Sequence, residues 1–162
     1  MKRFALAFVS VLVAACLLTG CGDDYPLGQT ITYEDFQITL PGDFIDLSKE
    51  AYAEDADFLY GRNTLILKAM AEKKAALQEM SLDTYISWVI KGNELSCAPE
   101  VFRDGYLFSY ETPVGNENYT YTTAVFEGET NFWLLQFYCP TANLEENQPE
   151  IDIILSAVQL QK

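Results

Sequence analysis

Phe132-Trp133-Leu134-Leu135-Gln136-Phe137-Tyr138-Cys139 carries apolar side chains at odd and even positions alike. A strand with one wet face alternates apolar and polar residues, so this stretch reads as a central strand covered on both sides. Two more strands lead into it. Tyr106 to Thr112 and Tyr119 to Glu127 are joined by the hairpin loop Pro113-Val114-Gly115-Asn116-Glu117-Asn118. Gly128-Glu129-Thr130-Asn131 then turns the second of them into the central strand.

Three antiparallel strands with a two-sided middle need a covering layer on each face, and the flanking sequence supplies it. Ser81 is placed to cap a helix running to about Lys91, with Gly92-Asn93 as its stop. Tyr85, Ile86, Trp88, Val89 and Ile90 form its expected buried stripe. Pro149 suits the first turn of a closing helix whose stripe is Ile151, Ile154, Leu155 and Val158. Upstream, Thr30 to Leu40 reads as extended, with Ile31, Tyr33, Ile38 and Leu40 on one pleated face and Pro41-Gly42 ending it. Phe58 to Tyr60 and Thr64 to Met70 read as strands about a turn at Gly61-Arg62-Asn63. Ser48 to Asp57 is expected as a short helix or ordered loop, and Ala71 to Met80 as a connector with helical propensity. The expected class is α+β: a single, mainly antiparallel sheet of about five to six strands with helices packed on it.

Phe36-Gln37-Ile38-Thr39-Leu40-Pro41-Gly42-Asp43-Phe44 resembles the opening strand of PsbP-like domains. So do the helix preceding the Gly105-Tyr106 strand, the aromatic hairpins, Phe132-Trp133, and a closing helix with Ile151 and Val158. The resemblance is diffuse but spans most of residues 30–160. It implies an α/β/α sandwich serving as a binding or assembly module, with no shared catalytic residues to carry over.

The chain opens Met1-Lys2-Arg3 and then runs apolar from Phe4 to Leu18, the layout of an export signal. Leu18-Thr19-Gly20-Cys21 follows directly and resembles the lipobox of bacterial lipoproteins. Val13-Ala14-Ala15-Cys16 fits more loosely and would leave a very short apolar run. The resemblance implies cleavage before Cys21, lipid on its thiol, and a domain displayed outside the cytoplasmic membrane. Residues 1–20 are then the signal peptide, 21–29 a tether and 30–162 the globular domain. Two or three acyl chains hold such a protein firmly, at about 0.8 kcal/mol per buried methylene.

Losing Lys2 and Arg3 with the signal leaves 8 basic residues (10 minus 2) against 24 acidic ones, a net charge of −16. Nucleic acid is excluded as a partner, because binding it rests on neutralising phosphates with Lys and Arg. The chain has no histidine, which removes the usual neutral-pH base and the commonest zinc ligand. Asp55-x-Asp57 invites a calcium reading, but Tyr60 and Ile66 stand where an EF-hand loop needs Gly and Glu. Acidic clusters such as Glu127-Glu129 and Glu145-Glu146 read as a solvated face, and no metal or cofactor is expected.

Cys97 and Cys139 are the thiols left beyond Cys21. Outside the cytoplasm an even pair reads first as a disulfide, with two free buried thiols as the alternative. Tyr106, Phe108 and Tyr110 share one strand face, and Tyr119 and Tyr121 the neighbouring strand. Exposed, such a ladder docks a partner or stacks on sugar rings; buried, it is ordinary cross-strand packing. The leading expectation is a non-enzymatic, lipid-anchored module that binds an envelope protein through these aromatics and hairpin 113–118. A small-ligand or glycan binder is the alternative, and a hydrolase using an acidic pair comes third.

Overall fold

The structure, a computed structural model, describes residues 27–161 apart from 51, 52 and 54. The expected signal peptide, Cys21 and the tether up to Pro26 lie outside these residues.

The elements are β1 (Leu27–Tyr33), β2 (Phe36–Pro41), β3 (Ile45–Asp46), β4 (Phe58–Arg62), β5 (Leu65–Lys73), α1 (Leu82–Gly92), β6 (Glu100–Phe102), β7 (Gly105–Val114), β8 (Glu117–Glu127), β9 (Asn131–Pro140), α2 (Leu144–Ser156) and β10 (Gln159–Leu160). They form two sheets. One has three strands in the order β1-β2-β10; the other has seven, in the order β3-β4-β5-β9-β8-β7-β6. This corrects the expectation of one sheet with five or six strands. The stretch expected as a single extended run folds back at Glu34-Asp35, where Glu34 takes φ +25°, and so founds a second sheet. The edge strands β3, β6 and β10 are two or three residues long, too short for any hydrophobic period to mark them.

β9 lies between β5 and β8, the expected central position. Its odd residues Trp133, Leu135, Phe137 and Cys139 point toward the small sheet and α2, where Ile38, Leu40, Ile151 and Ile154 meet them. Its even residues Phe132 and Leu134 point the other way and pack under Tyr85, Ile86 and Val89 of α1. The seven-stranded sheet is therefore the middle layer, with α1 on one face and the small sheet plus α2 on the other. Trp133 anchors the larger core, stacking on Phe36 at 4.5 Å and edge-on to Tyr33 at 5.2 Å.

Period-two alternation also decides the cysteines. Cys139 is buried in the α2-side core, whereas Cys97 is half-buried and packs on the α1-side cluster. The sheet separates them, and both are free thiols. The expected disulfide is not formed.

Both helices depart in detail from the sequence reading. Ser81 caps α1 as expected, its Oγ accepting from Thr84 N–H at 3.3 Å. Trp88, expected in the buried stripe, is 53% exposed; Tyr85, Ile86 and Val89 alone are buried. α2 starts at Leu144, so Pro149 lies inside it rather than in its first turn. The Arg103 guanidinium closes the other end of α2, donating to the carbonyls of Leu155 at 2.6 Å and Val158 at 3.0 Å. A cation there satisfies carbonyls that the helix leaves open and opposes its dipole. The loop between β7 and β8 is tighter than expected: Gly115-Asn116 alone makes the turn, with Gly115 at φ +63°. Gly at the first of two turn residues matches the right-handed twist of the paired strands.

Candidate docking face

α1 is an 11-residue helix on a sheet whose middle strands are 9 to 11 residues long. Its buried side chains cover Phe108, Val125, Phe132 and Leu134. The same face continues past them. Strand register sets Tyr110 opposite Tyr121, Tyr121 opposite Tyr138, and Tyr138 opposite Ile66. The result is one row crossing four strands.

The rings in this row are stacked. Tyr110 and Tyr121 lie 5.1 Å apart and within 4° of parallel; Tyr121 and Tyr138 lie 5.3 Å apart at 21°. Gln136 braces the row by donating from Nε2 to the Tyr110 hydroxyl at 3.0 Å. Tyr110, Tyr119, Tyr121, Tyr138 and Ile66 are all partly exposed. Tyr110 touches the α1-side core, whereas Tyr119, Tyr121, Tyr138 and Ile66 belong to neither core cluster. Burial first, then the neighbouring hydroxyl of Tyr121, pushes the Tyr110 phenol above its ordinary value. Burial and then Tyr119 do the same to Tyr121. These phenols stay neutral and protonated, and their chemistry is that of hydrogen-bonding, stacking surfaces.

The five aromatics expected at a contact surface thus share one face but serve different ends. Phe108 is core, 4% exposed. Tyr106 donates from its hydroxyl to Asp83 at the start of α1 and belongs under the helix. Tyr110, Tyr119 and Tyr121 form the uncovered part. Tyr138 completes the row and was missed, because its face follows only from the register of β9 against β8.

Three of the carboxylates, Asp57, Glu127 and Glu150, are engaged structurally. Asp57 accepts from the Tyr33 hydroxyl at 3.1 Å and from Ala71 N–H at 2.6 Å. Glu127 pairs with Lys74 at 2.7 Å, and the buried Glu150 with Arg62 at 2.6 Å. The concavities described are open to solvent, for instance the one lined by Lys74, Asp104, Glu127 and Glu129. Among the described residues no helix is long and apolar enough to cross a membrane.

By sequence, no family profile matches the chain and no curated protein does. Solved structures do resemble it. A protein from Bacteroides thetaiotaomicron superposes with a TM-score of 0.52 at 14% identity, over 78% of this chain and 45% of the other. This chain therefore spans less than half the length of that relative. Cyanobacterial PsbP (CyanoP) from Synechocystis sp. PCC 6803 superposes with a TM-score of 0.51 at 10% identity, over 88% of this chain and 98% of the other. Similarity at this level speaks to fold alone, and on that ground the domain has a PsbP-like fold.

Proposed function

We propose that this chain is a lipid-anchored extracytoplasmic module, held by acylated Cys21, which binds an envelope protein through the row Tyr110–Tyr121–Tyr138. The carrying observation is that row: stacked, partly exposed tyrosines on a sheet face that α1 covers only in part. Tyrosine is well suited to such work, since it offers large, stiff apolar area with a hydroxyl at its tip. The net charge of −14 for the whole chain favours a partner that rims an apolar patch with Lys or Arg. Open concavities give a small ligand little enclosure. The reading is non-enzymatic.

Two measurements test it. Cys21→Ser should abolish incorporation of labelled fatty acid and leave the leader uncut; a variant still labelled, or still cleaved before residue 21, would defeat the anchoring. For the contact, a photo-crosslinking residue at position 121 or 138 should give one discrete protein adduct in cells. The same residue at position 156, on the far side of the molecule, should not. Tyr110→Ser should weaken the adduct, and raised salt should weaken it further. Equal adducts from positions 121 and 156 would rule out the tyrosine row as the binding face.

A further inference from the structure

β7 outruns its outer neighbour. It has 10 residues, Gly105 to Val114, and pairs along its whole length with β8, but β6 accompanies it only from Gly105 to Leu107. Two turns fix which way its backbone points beyond that. In a two-residue hairpin the residues flanking the turn exchange both of their hydrogen bonds, and the direction alternates from there along the strand. Val114 and Glu117 flank Gly115-Asn116, so Val114, Thr112, Tyr110 and Phe108 turn their backbone polar groups toward β8. Phe102 and Gly105 flank Arg103-Asp104, so Gly105 and Leu107 turn theirs toward β6. The two turns agree, and together they leave Ser109, Glu111 and Pro113 facing outward past the end of β6. Pro113 fits this parity, since its nitrogen falls on the side where no ladder bond is made. Among the described residues no backbone hydrogen bond from a loop reaches Ser109 or Glu111. All three outward residues are exposed. Ser96–Ala98 do not close the edge: they face Leu107–Ser109 across a concavity.

We infer that this open stretch of β7 takes up an extended segment of the partner as an added antiparallel strand, and that the segment is basic on one face and apolar on the other. Resting on the tyrosine row as the binding face, this adds how the partner lies against it. Ser109 and Glu111 each offer an N–H and a C=O, and Pro113 a further carbonyl, the bonding pattern of strand addition at a sheet edge. Side-chain chemistry follows from the alternation. Ser109 and Glu111 share the face of Leu107, which packs toward the α2-side core, and Glu100 stands opposite Leu107 on that face. Glu100 and Glu111 are exposed, and among the described residues neither forms an ion pair. A segment residue opposite Glu111 therefore meets an unpaired carboxylate, and Lys or Arg answers it. The next residue of the segment lies beside Tyr110 on the other face, in the closer, non-hydrogen-bonded kind of pair. An apolar or aromatic side chain there lengthens the row Tyr138–Tyr121–Tyr110 by one place. The same charges argue against a second copy of this chain. Antiparallel pairing of two such edges brings the two Glu111 carboxylates directly or diagonally opposite, in molecules whose net charge is already −14.

The test uses the full-length protein in zwitterionic detergent micelles and the synthetic peptide Thr-Lys-Val-Lys-Tyr-Lys-Thr, with amide exchange followed residue by residue by NMR. The Ser109 and Glu111 amides should exchange fast in the free protein and slow by about tenfold or more with peptide. Tyr110 and Thr112, already bonded to β8, should change little. N-methylating the peptide's lysines, or exchanging them for glutamate, should abolish the protection. Glu111→Lys should shift the preference toward the glutamate peptide. Ser109→Pro should fold, as Pro113 does on the same edge, and lose binding; N-methylation tests the same bonds without altering the protein. Slow exchange at Ser109 and Glu111 in the free protein would show the edge already closed and overturn strand addition. Peptide binding that Tyr110→Ser weakens while those amides still exchange fast, or protection that survives N-methylation, overturns it too and leaves the tyrosine row as a binding face. Equal protection by the lysine and glutamate peptides overturns the basic segment. No protection at millimolar peptide overturns the inference, while crosslinking from position 121 still decides the row.

Discussion

Asp35 sits at the turn of the first hairpin with its carboxylate buried and five donors on its two oxygens: both the N–H and Oγ1 of Thr130, the N–H and Nδ2 of Asn131, and Trp133 Nε1 at 2.8 Å. It joins the small sheet to the first residue of β9 and to the largest ring of the core. Burial alone pushes this carboxyl up, but the donors of Thr130, Trp133 and Asn131 outweigh it and hold the group below the ordinary aspartate value of 3.8. Asp35→Asn sets an amide against those donors and should cost about 2–3 kcal/mol in urea unfolding at neutral pH. The folded group titrates lower than the unfolded one. Its contribution is therefore complete above pH 3.8 and is lost as pH falls through the depressed folded value. The gap between wild type and Asp35→Asn should accordingly narrow in acid; a gap that widens there would refute the assignment. Gly128 supplies an independent check, since a Cβ on it would stand 2.4 Å from Asp35 Oδ2. Gly128→Ala should destabilise the native protein by roughly 1–3 kcal/mol and be much milder in an Asp35→Ala background.

At the scale of elements, α1 separates burial from hydrophobicity. Tyr85 is fully buried and stacks on Phe132 at 4.3 Å, while Trp88, three residues on, faces water. Tyr85→Ala should cost about 3–5 kcal/mol and Trp88→Ala under about 1 kcal/mol, measured as shifts in denaturation midpoint. α2 offers the complementary test at its end. Arg103→Ala removes donors from the Leu155 and Val158 carbonyls and should cost roughly 1–2 kcal/mol, with local hydrogen exchange rising first in the last turn. These elements also show what a one-dimensional reading reaches. The α1 cap, the stripe of α2 and the two-sided β9 were legible because each is set by local pattern: a serine before a helix, a 3.6-residue period, apolar residues at every position. The β1–β2 turn was not, since Tyr33-Glu34-Asp35-Phe36 contains none of Gly, Pro or Asn, and what holds it is Asp35 reaching residues nearly a hundred positions away. The α1 stripe was over-read at Trp88 because one short helix has room for only three buried residues against Phe132 and its neighbours.

For the molecule as a whole, the candidate face was half legible. Alternation placed Tyr106, Phe108 and Tyr110 together, but which of them α1 covers, and that Tyr138 joins Tyr121, depend on register and on where a helix stops. Tyr138 is what whole-molecule register adds to the face. It belongs to neither core cluster, so Tyr138→Ser should cost only about 1 kcal/mol in urea unfolding. By removing the ring stacked on Tyr121 at 5.3 Å, it should weaken the crosslinked adduct formed from position 121; a full-strength adduct would mean that the row ends at Tyr121.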